Sequence, residues 1–537
     1  MQDWKIWIVI VVLGAVNLAV HPIIFRVDMT EEHRYSLSEP TKKMLQELEE
    51  PLEVVVLLDG PMNSSFLRLK TAAVQLLEEL RVYGAVQDEQ PVETDYQGLT
   101  PTIIHERAKD GQTVQTKLFP YALLRYKEHE AVVPLLVNDH GRSGEENINR
   151  SIELMEFRFA EAINALKRKE PVRVAFLEGH GELPEENVLD IEQQLSLYFR
   201  VDRGTLTGSD TQLDDYKVVI VADPQTPFSE SDKYLLDQYV MRGGRVLWLL
   251  NGVRFSGDYL SKQGMTPVVP LDLGLQDLLF RYGVRVEPAL VQDLQCLPIP
   301  VDVSEDPASP NFQPLPWTYA PLLLTSERSP ITAQLGQVSA TFCSPVSMVG
   351  GDDDLLKRVL LASSNHSAVT ATPAKVDLGD LNPDVARFAY EFVPVGVLTE
   401  GRFPSLYAHQ MVPKGVEVTR EKRTESAYTR QIVVGSGSVI RNELQQGKPL
   451  PCGYDRYTQM QFANRDFIIS CVLYLTDDAN LIPLRQKDVK LRLLNDQTAR
   501  ENRMLIQIMT TLLPLLLLAL VAAIYIPTRK HKYSHTK

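Results

Sequence analysis

The sequence predicts an α/β protein that is anchored in a membrane at both ends. Short apolar runs alternate with helical patterns between residues 171 and 250, another series of strands and helices precedes them, and an apolar segment lies near each terminus. Parallel strands that are buried on both faces have no polar side, so apolar runs between amphipathic helices indicate βαβ units. The 537 residues are too many for one core, and we expect two or three domains.

Bulk composition excludes several classes of protein. With 44% hydrophobic and 23% charged residues, the chain resembles ordered globular proteins rather than disordered ones. Its net charge of -14, without a basic stripe, argues against a nucleic-acid partner. The cysteines are too few, and too irregularly spaced, for a disulfide scaffold or a zinc site. One disulfide is compatible with an extracytoplasmic chain, but we expect buried thiols.

Both ends have the character of transmembrane helices. Residues 504–526 carry no charge, and about 20 apolar residues suffice to cross the hydrocarbon core. Residues 1–25 are less purely apolar, but the single Lys5 and the lack of a small-residue cleavage site favour an uncleaved anchor over a signal peptide. The basic tail, 527–537, indicates that both termini lie in the cytoplasm, which in a bacterium would place the intervening chain in the periplasm.

Residues 26–168 are expected to form a first α/β domain. The patterns predict, in chain order, a helix from about 38, strand 52–58, helix 64–83, strand 92–96, strands 121–126 and 131–137, and helix 147–166. This order resembles the thioredoxin-like fold, in which a proline precedes the third strand, a position that Pro101 would fill. The loop after the first strand has no cysteine, so this domain would lack the CxxC motif and its thiol chemistry.

Residues 169–250 are expected to form the first part of a central α/β domain. Strands at 172–177, 218–222 and 246–250 alternate with helices at 188–198 and 231–241, as in doubly wound sheets of the Rossmann or flavodoxin-like type. The glycines at 243–244 predict a helix-to-strand turn with positive φ rather than a nucleotide loop.

The rest of the central region is irregular. Residues 251–430 are rich in proline and predict an extended insertion with one helix over 273–282 and a strand at 392–398. Residues 431–480 are expected to supply the last strand and helix of the same sheet. A charged juxtamembrane segment, 481–503, then leads into the second membrane helix.

One motif is a candidate loop for a ligand or a partner. Glu178, His180 and Glu182 alternate just beyond a strand end, where doubly wound folds place ligands. These residue types suit a metal or acid–base chemistry. No second histidine has matching spacing, however, and glycines at a strand end commonly only form the turn. The interpretation we favour is structural.

Motifs for catalysis are otherwise missing from the sequence. No GxxxxGK[ST] loop occurs, so the chain is not itself the ATPase of a transporter. No G-x-S-x-G elbow occurs, and no cysteine precedes Cys296 to serve as a nucleophile in the central domain. We therefore expect no enzymatic activity, no catalytic residue, no cofactor and no bound metal.

Six short stretches, in order along the chain, resemble the family of the gliding-motility-associated ABC transporter protein GldG. They lie at 28–38, 176–182, 272–279, 291–296, 464–467 and 490–494. The resemblance covers essentially the whole chain. It implies an inner-membrane protein of Bacteroidota that acts as an auxiliary, substrate-binding-like component beside a separate permease (GldF) and a separate ATPase (GldA). It also implies a link to gliding and surface-protein export, and a central module similar to one of intraflagellar-transport proteins. The family has no established catalytic residues to carry over.

Three functions are consistent with these expectations. The first is a non-enzymatic periplasmic subunit of an ABC transport complex, with a permease, an ATPase and the lipid bilayer as partners. The second is a periplasmic enzyme or ligand-handling protein on the α/β scaffold. The third is a receptor for a small ligand, which a cleft with convergent polar side chains would favour.

Overall fold

The computed structural model of the chain is a mixed α/β structure built around two sheets. It describes residues 37–97, 99, 101–107, 113–136, 143–167, 171–302, 304, 312–333, 335–350, 355–381, 383–477, 514–516, 518–523 and 525–527.

In these residues the α-helices are α1 (Glu39–Gln46), α2 (Ser64–Tyr83), α3 (Gly144–Glu153), α4 (Met155–Lys167), α5 (Leu189–Leu195), α6 (Glu230–Met241), α7 (Gly257–Gln263), α8 (Gln276–Arg281) and α9 (Asn464–Thr476). Short 3-10 helices span Glu93–Tyr96, Glu185–Asn187, Val385–Arg387 and Gly437–Val439.

The strands are β1 (Leu52–Val56), β2 (Val86–Glu89), β3 (Thr102–Arg107), β4 (Thr113–Leu118), β5 (Tyr121–Tyr126), β6 (His129–Pro134), β7 (Arg173–Glu178), β8 (Arg200–Thr205), β9 (Tyr216–Ala222), β10 (Arg245–Leu249), β11 (Val253–Arg254), β12 (Met265–Pro270), β13 (Val284–Val286), β14 (Ala289–Asp293), β15 (Cys296–Asp302), β16 (Phe312–Thr325), β17 (Val338–Ser339), β18 (Val346–Met348), β19 (Leu356–Ala362), β20 (Ser367–Ala371), β21 (Ala374–Asp377), β22 (Pro394–Gly401), β23 (Thr429–Val434), β24 (Leu444–Gln445), β25 (Lys448–Pro449), β26 (Tyr454–Asp455) and β27 (Met460–Gln461).

The first sheet has the strand order β2-β1-β5-β6. Strand β1 is parallel to β2 and antiparallel to β5, and β5 is antiparallel to β6. Helix α2 links β1 to β2 and buries Phe66, Leu69 and Leu80, among others, at helical spacing. The helix predicted over 147–166 is divided into α3 and α4 at Leu154.

The strand predicted at 92–96 is wrong. These residues form a 3-10 turn, and the strand parallel to β1 is β2, a few residues earlier. The carboxylate of Asp95 accepts the Val92 amide at 2.9 Å and binds Arg125 on β5 at 2.6 Å, which holds the turn against the sheet. A local carboxylate bond of this kind competes with strand pairing.

The position assigned to Pro101 is also wrong. The strand that follows it, β3, pairs with β4 in a separate hairpin. The third strand of the first sheet in chain order is β5, and it follows Pro120. Sequence periodicity could not distinguish these two strands because it does not show pairing partners.

The large sheet is 10-stranded, with the main order β15-β16-β19-β22-β23-β10-β9-β7-β8. Neighbouring strands from β8 through β23 are parallel. The strands beyond β23, which belong to residues 251–430, are antiparallel. This region was predicted to be extended apart from one helix and a strand at 392–398, and β22 confirms that strand. The region as a whole supplies five strands of the sheet, β15, β16, β17, β19 and β22. Prolines face each other in the edge pair β15–β16, where a missing amide is tolerated.

Apolar clusters cover both faces of the parallel part. On β9, Ile220 belongs to a cluster with α5 and α9, whereas its neighbours Val219 and Val221 belong to one with α6 and α8. Successive strand side chains point to opposite faces, so fully apolar strands result. Strand β23 lies directly beside β10, and α9 packs on the same sheet.

The predicted membrane segments fall mainly outside the described residues. Residues 1–25, and most of the juxtamembrane segment and the tail, are among them. Of residues 504–526, the structure describes 514–516, 518–523 and 525–526, all helical. None of the helices in the described part of the chain has the length and hydropathy needed to cross a bilayer. No disulfide joins Cys296, Cys343, Cys452 or Cys471.

Candidate functional site

The candidate site lies at the edge of the large sheet where the parallel strands end. Strand β7 has β8 on one side and β9 on the other, so successive connections leave it in opposite directions. In open α/β sheets, ligands bind at such a switch point, in the crevice beyond the carboxyl ends of the strands. The loops after β7 and β9 would form that crevice here.

The structure brings two of the three predicted site residues together. His180 Nδ1 lies 3.1 Å from Glu182 Oε1, and the His180 amide donates to Glu182 Oε2 at 2.7 Å. The other ring nitrogen, Nε2, lies 3.4 Å from Asp232 Oδ2 on α6. Glu178 is not part of this group, because its carboxylate accepts from Arg203 Nε on β8 at 2.8 Å.

The His180 ring is held on all sides. It is 7% exposed and stacks on Phe228 with the ring centroids 3.7 Å apart. Burial lowers the pKa of His180, but the hydrogen bonds and charges of Glu182 and Asp232 outweigh it, and the net pKa is raised. With both nitrogens in hydrogen bonds, the imidazole joins the loop after β7 to the start of α6 and offers neither nitrogen to a substrate.

Backbone bonds close the switch point. The His180 carbonyl accepts the amides of Gln225 and Thr226 at 2.8 and 2.9 Å, and the Leu183 amide donates to the Ala222 carbonyl at 2.9 Å. The two loops that would open around a ligand are therefore bonded to each other. A ligand at this position would have to break these contacts.

A second polar cluster lies beyond β9, β10 and β23. Asp223 has a φ of +57°, a strained conformation for a residue other than glycine. Its Oδ1 accepts from Asn251 Nδ2 at 2.6 Å and from Gln225 Nε2 at 2.9 Å, and the Gly437 amide donates to Asn251 Oδ1 at 3.1 Å. Burial raises the pKa of Asp223 to about 6, against the opposing charge of Arg441.

No group of three or more His, Cys, Asp and Glu side chains in the described residues could hold a metal ion. Burial raises the pKa of Cys296 to about 11 and also raises the pKa of Cys343 and of Cys452, which disfavours the nucleophilic thiolate form of these three residues. The polar groups at this edge thus bind mainly one another.

Comparison with known proteins assigns a family to the part of the chain that contains both polar clusters. Residues 171–471 match a family described as an ABC-type uncharacterized transport system, ABC_transp_aux. The chain belongs to this ABC transport auxiliary family. Its family region begins just before β7 and ends within α9, so it comprises the whole large sheet. A second match, over residues 31–125, is to a domain of unknown function, DUF7088.

The other comparisons give less information about this auxiliary-family chain. No curated protein matches it. A solved structure described as "mmIFT52 N-terminal domain" is similar over 57% of this chain and 97% of its own, with 14% identity and a TM-score of 0.33. That TM-score is too low to support an inference about fold or function.

Sequence reasoning missed several residues of the auxiliary-family site. The position of Asp232 could have been predicted from the sequence, since Ser229 caps α6 and accepts the Asp232 amide three residues later. Asp223 and Asn251 each follow a buried strand, which is where the sequence could have directed attention. Arg441 had no signal, because only the folded chain brings it near Asp223.

Proposed function

We propose that the chain is a non-enzymatic subunit of an ABC transport complex in a bacterial inner membrane. Membership of the ABC transport auxiliary family carries this proposal. The resemblance of the six sequence stretches to GldG supports the finer part: a Bacteroidota protein linked to gliding motility and surface-protein export, with a GldF-like permease and a GldA-like ATPase as partners.

The state of the candidate site supports a role without catalysis. Catalysis at a switch point needs polar groups that are free to contact a substrate. Here His180 is bonded to Glu182 and Asp232, and the loops on either side are bonded to each other. These contacts suit a rigid assembly module.

The topologies support the finer fold assignments. The order β2-β1-β5-β6, with β1 and β2 parallel and β5 and β6 antiparallel, supports a thioredoxin-like domain without a CxxC motif. Parallel strands from β8 through β23 with helices on both faces support a Rossmann- or flavodoxin-like central domain.

We place the anchors at residues 1–25 and 504–526, the domains between them in the periplasm, and both termini in the cytoplasm. The apolar sequence of each segment and the basic tail support this arrangement. The large apolar side chains described at 515–526, such as Leu516 and Leu520, are about 60% exposed. Side chains of this kind are stable against lipid or a partner helix.

The test is copurification of the tagged full-length chain from its own membranes in mild detergent. We expect a permease and an ATPase in stable ratio. A variant with Leu516→Arg and Leu520→Arg should lose both partners, because charged side chains are costly in the bilayer. The matched control, Leu516→Ala with Leu520→Ala, should retain them.

Two results would contradict the proposal. If the wild-type chain elutes without a permease or ATPase, the transport assignment fails. If the arginine variant retains both partners and still resists alkaline extraction, the second helix is not the contact that we assign.

A further inference from the structure

A polar pocket lies beside the carboxyl end of β23, next to the closed switch point. It has a volume of about 420 Å³. It is lined by residues 339–341, the β26 side of the hairpin β26–β27, the first residue of α9, and Ser438, Arg441, Glu443 and Leu444. Pockets that bind small molecules measure roughly 300–1,000 Å³, so this one is large enough for a metabolite-sized ligand.

The charged side chains of the pocket differ in whether they have a hydrogen-bonding or ion-pair partner. Glu443 pairs with Arg456 at 3.3 Å, and Asp455 accepts the Thr458 amide at 2.9 Å. Arg441 is exposed, and among the residues that the structure describes no carboxylate lies within 4.0 Å of its guanidinium. Glu443 is therefore paired with a cation and Asp455 accepts only neutral donors. The charge of Arg441 acts on the buried Asp223, but its guanidinium has no carboxylate at ion-pair distance.

Hydroxyl groups lie on the same wall of the pocket. The Thr341 amide donates to Ser438 Oγ at 2.9 Å, and Ser438 Oγ lies 2.8 Å from Ser436 Oγ. The Thr341 hydroxyl makes no hydrogen bond within the described part of the chain, so it can donate to a ligand.

The wall behind these groups is fixed. Asn464, at the start of α9, accepts the Ser339 amide at 2.9 Å and donates to the carbonyls of Ser339 and Val439 at 2.8 and 3.1 Å. A binding surface that is already ordered loses little entropy when a ligand arrives. Leu297 and Leu444 give the pocket an apolar side.

We propose that this pocket binds a small organic anion through a carboxylate or phosphate group. The anionic group pairs with Arg441 and accepts from the Thr341 hydroxyl, since a guanidinium forms charge-assisted, often bidentate bonds to both kinds of oxyanion. The ion pair with Arg456 offsets the charge of Glu443, whereas Asp455 accepts from neutral donors and keeps its negative charge, so the anion binds at the Arg441 side of the pocket. This inference goes beyond the proposed function, because it assigns a ligand to the chain whether or not a transporter is bound.

The experiment is titration calorimetry of the purified full-length chain in detergent at constant ionic strength. The probes are inorganic phosphate, citrate and, as a neutral control, glucose. We expect saturable binding of citrate or phosphate and none of glucose, and the tighter of the two anions identifies the group that is recognised.

Variants locate the site. Arg441→Gln should weaken binding of the anion by about tenfold or more, as expected for loss of a charge-assisted bond. The matched control is Arg402→Gln, which removes an exposed arginine that has no ion pair in the described residues and lies outside this pocket. It should bind like the wild type.

Three results would overturn the inference. They are no binding of either anion, equal binding of glucose, and an equal loss in the Arg402 and Arg441 variants. The thermal midpoint of Arg441→Gln without ligand should match the wild type near pH 5, where Asp223, the carboxyl group whose pKa Arg441 lowers, is mostly protonated. A second variant, Leu444→Trp, fills the pocket and should abolish binding while Arg441 remains in place.

Discussion

Replacing His180 with alanine tests the structural role of the cluster at the switch point. The change removes the bond from Nδ1 to Glu182 at 3.1 Å, which as a bond to a carboxylate is worth roughly 1.5–3 kcal/mol. The contact of 3.4 Å to Asp232 is near the limit for a hydrogen bond, and we assign it about 1 kcal/mol. Loss of the ring stacked on Phe228 adds about 1 kcal/mol. We expect the free energy of unfolding to fall by about 4 kcal/mol in all.

The expected loss of stability depends on pH, and the raised pKa of His180 determines the direction of this dependence. Because the pKa of folded His180 lies above its ordinary value, the charged ring stabilises the fold fully below about pH 6.5. This contribution disappears as the pH rises through the raised pKa. The difference between wild type and His180→Ala should therefore be larger near pH 6 than near pH 9.

Urea unfolding of the full chain, followed by tryptophan fluorescence, measures the difference, since Trp248 is fully buried in β10. The matched control is His409→Ala, which removes an exposed imidazole that makes no side-chain hydrogen bond among the described residues. It should change the stability by less than about 0.5 kcal/mol. The reasoning is refuted if the two variants behave alike, or if the loss at His180 is the same at both pH values.

Three further changes probe the same edge of the sheet. A Cβ on Gly435 would lie 2.0 Å from a backbone oxygen, so Gly435→Ala should lower the free energy of unfolding, measured in urea, by several kcal/mol. The control Gly204→Ala, whose Cβ would have nothing within 4 Å, should lower it little. The raised pKa of Asp223 means that its ionised form opposes folding, so the free energy of unfolding falls as the pH rises through about 6. Asp223→Asn should therefore stabilise the chain more near pH 8 than near pH 5, and equal effects at both pH values would contradict this. Arg465 binds Asp190 through two nitrogens at 2.6 and 2.9 Å, so Arg465→Met should cost about 3 kcal/mol in thermal or urea unfolding and Arg465→Lys less, and equal losses would argue against the paired geometry.

Elements with strong periodicity could be predicted from the sequence. Helix α2 spans the predicted residues 64–83, and β5 spans the predicted residues 121–126, because both have a regular apolar pattern. In the proline-rich region only β22 overlaps a predicted strand, the one at 392–398, and the other strands there could not be assigned in this way. Its strands are set by partners far along the chain, such as β22 against β23 and β14 against β20, and a single sequence does not encode pairing in its period.

The candidate site could be predicted only where its residues are local. His180 and Glu182 are two residues apart, and their placement after an apolar run pointed to the loop that contains them. Asn251 and Gly437 are joined by a bond across 186 residues. That bond depends on β23 lying beside β10, which is known only once the sheet order is known. For the same reason, the position of Arg441 near Asp223 could not be predicted from the sequence.

The insertion between β10 and β23 determines where a ligand can approach this edge. Its segment at 341–344 lies across the carboxyl ends of both strands: the Ser344 amide donates to the Gly435 carbonyl at 2.7 Å, and the Gly252 amide donates to Ser344 Oγ at 3.1 Å. The same segment supplies Thr341 to the pocket wall. The crevice between β7 and β9 is closed by backbone bonds, whereas the open pocket lies on the β23 side, where the insertion adds a wall that a plain parallel sheet would not have. A family that keeps this sheet but varies the insertion could therefore change its ligand or partner without altering the parallel core.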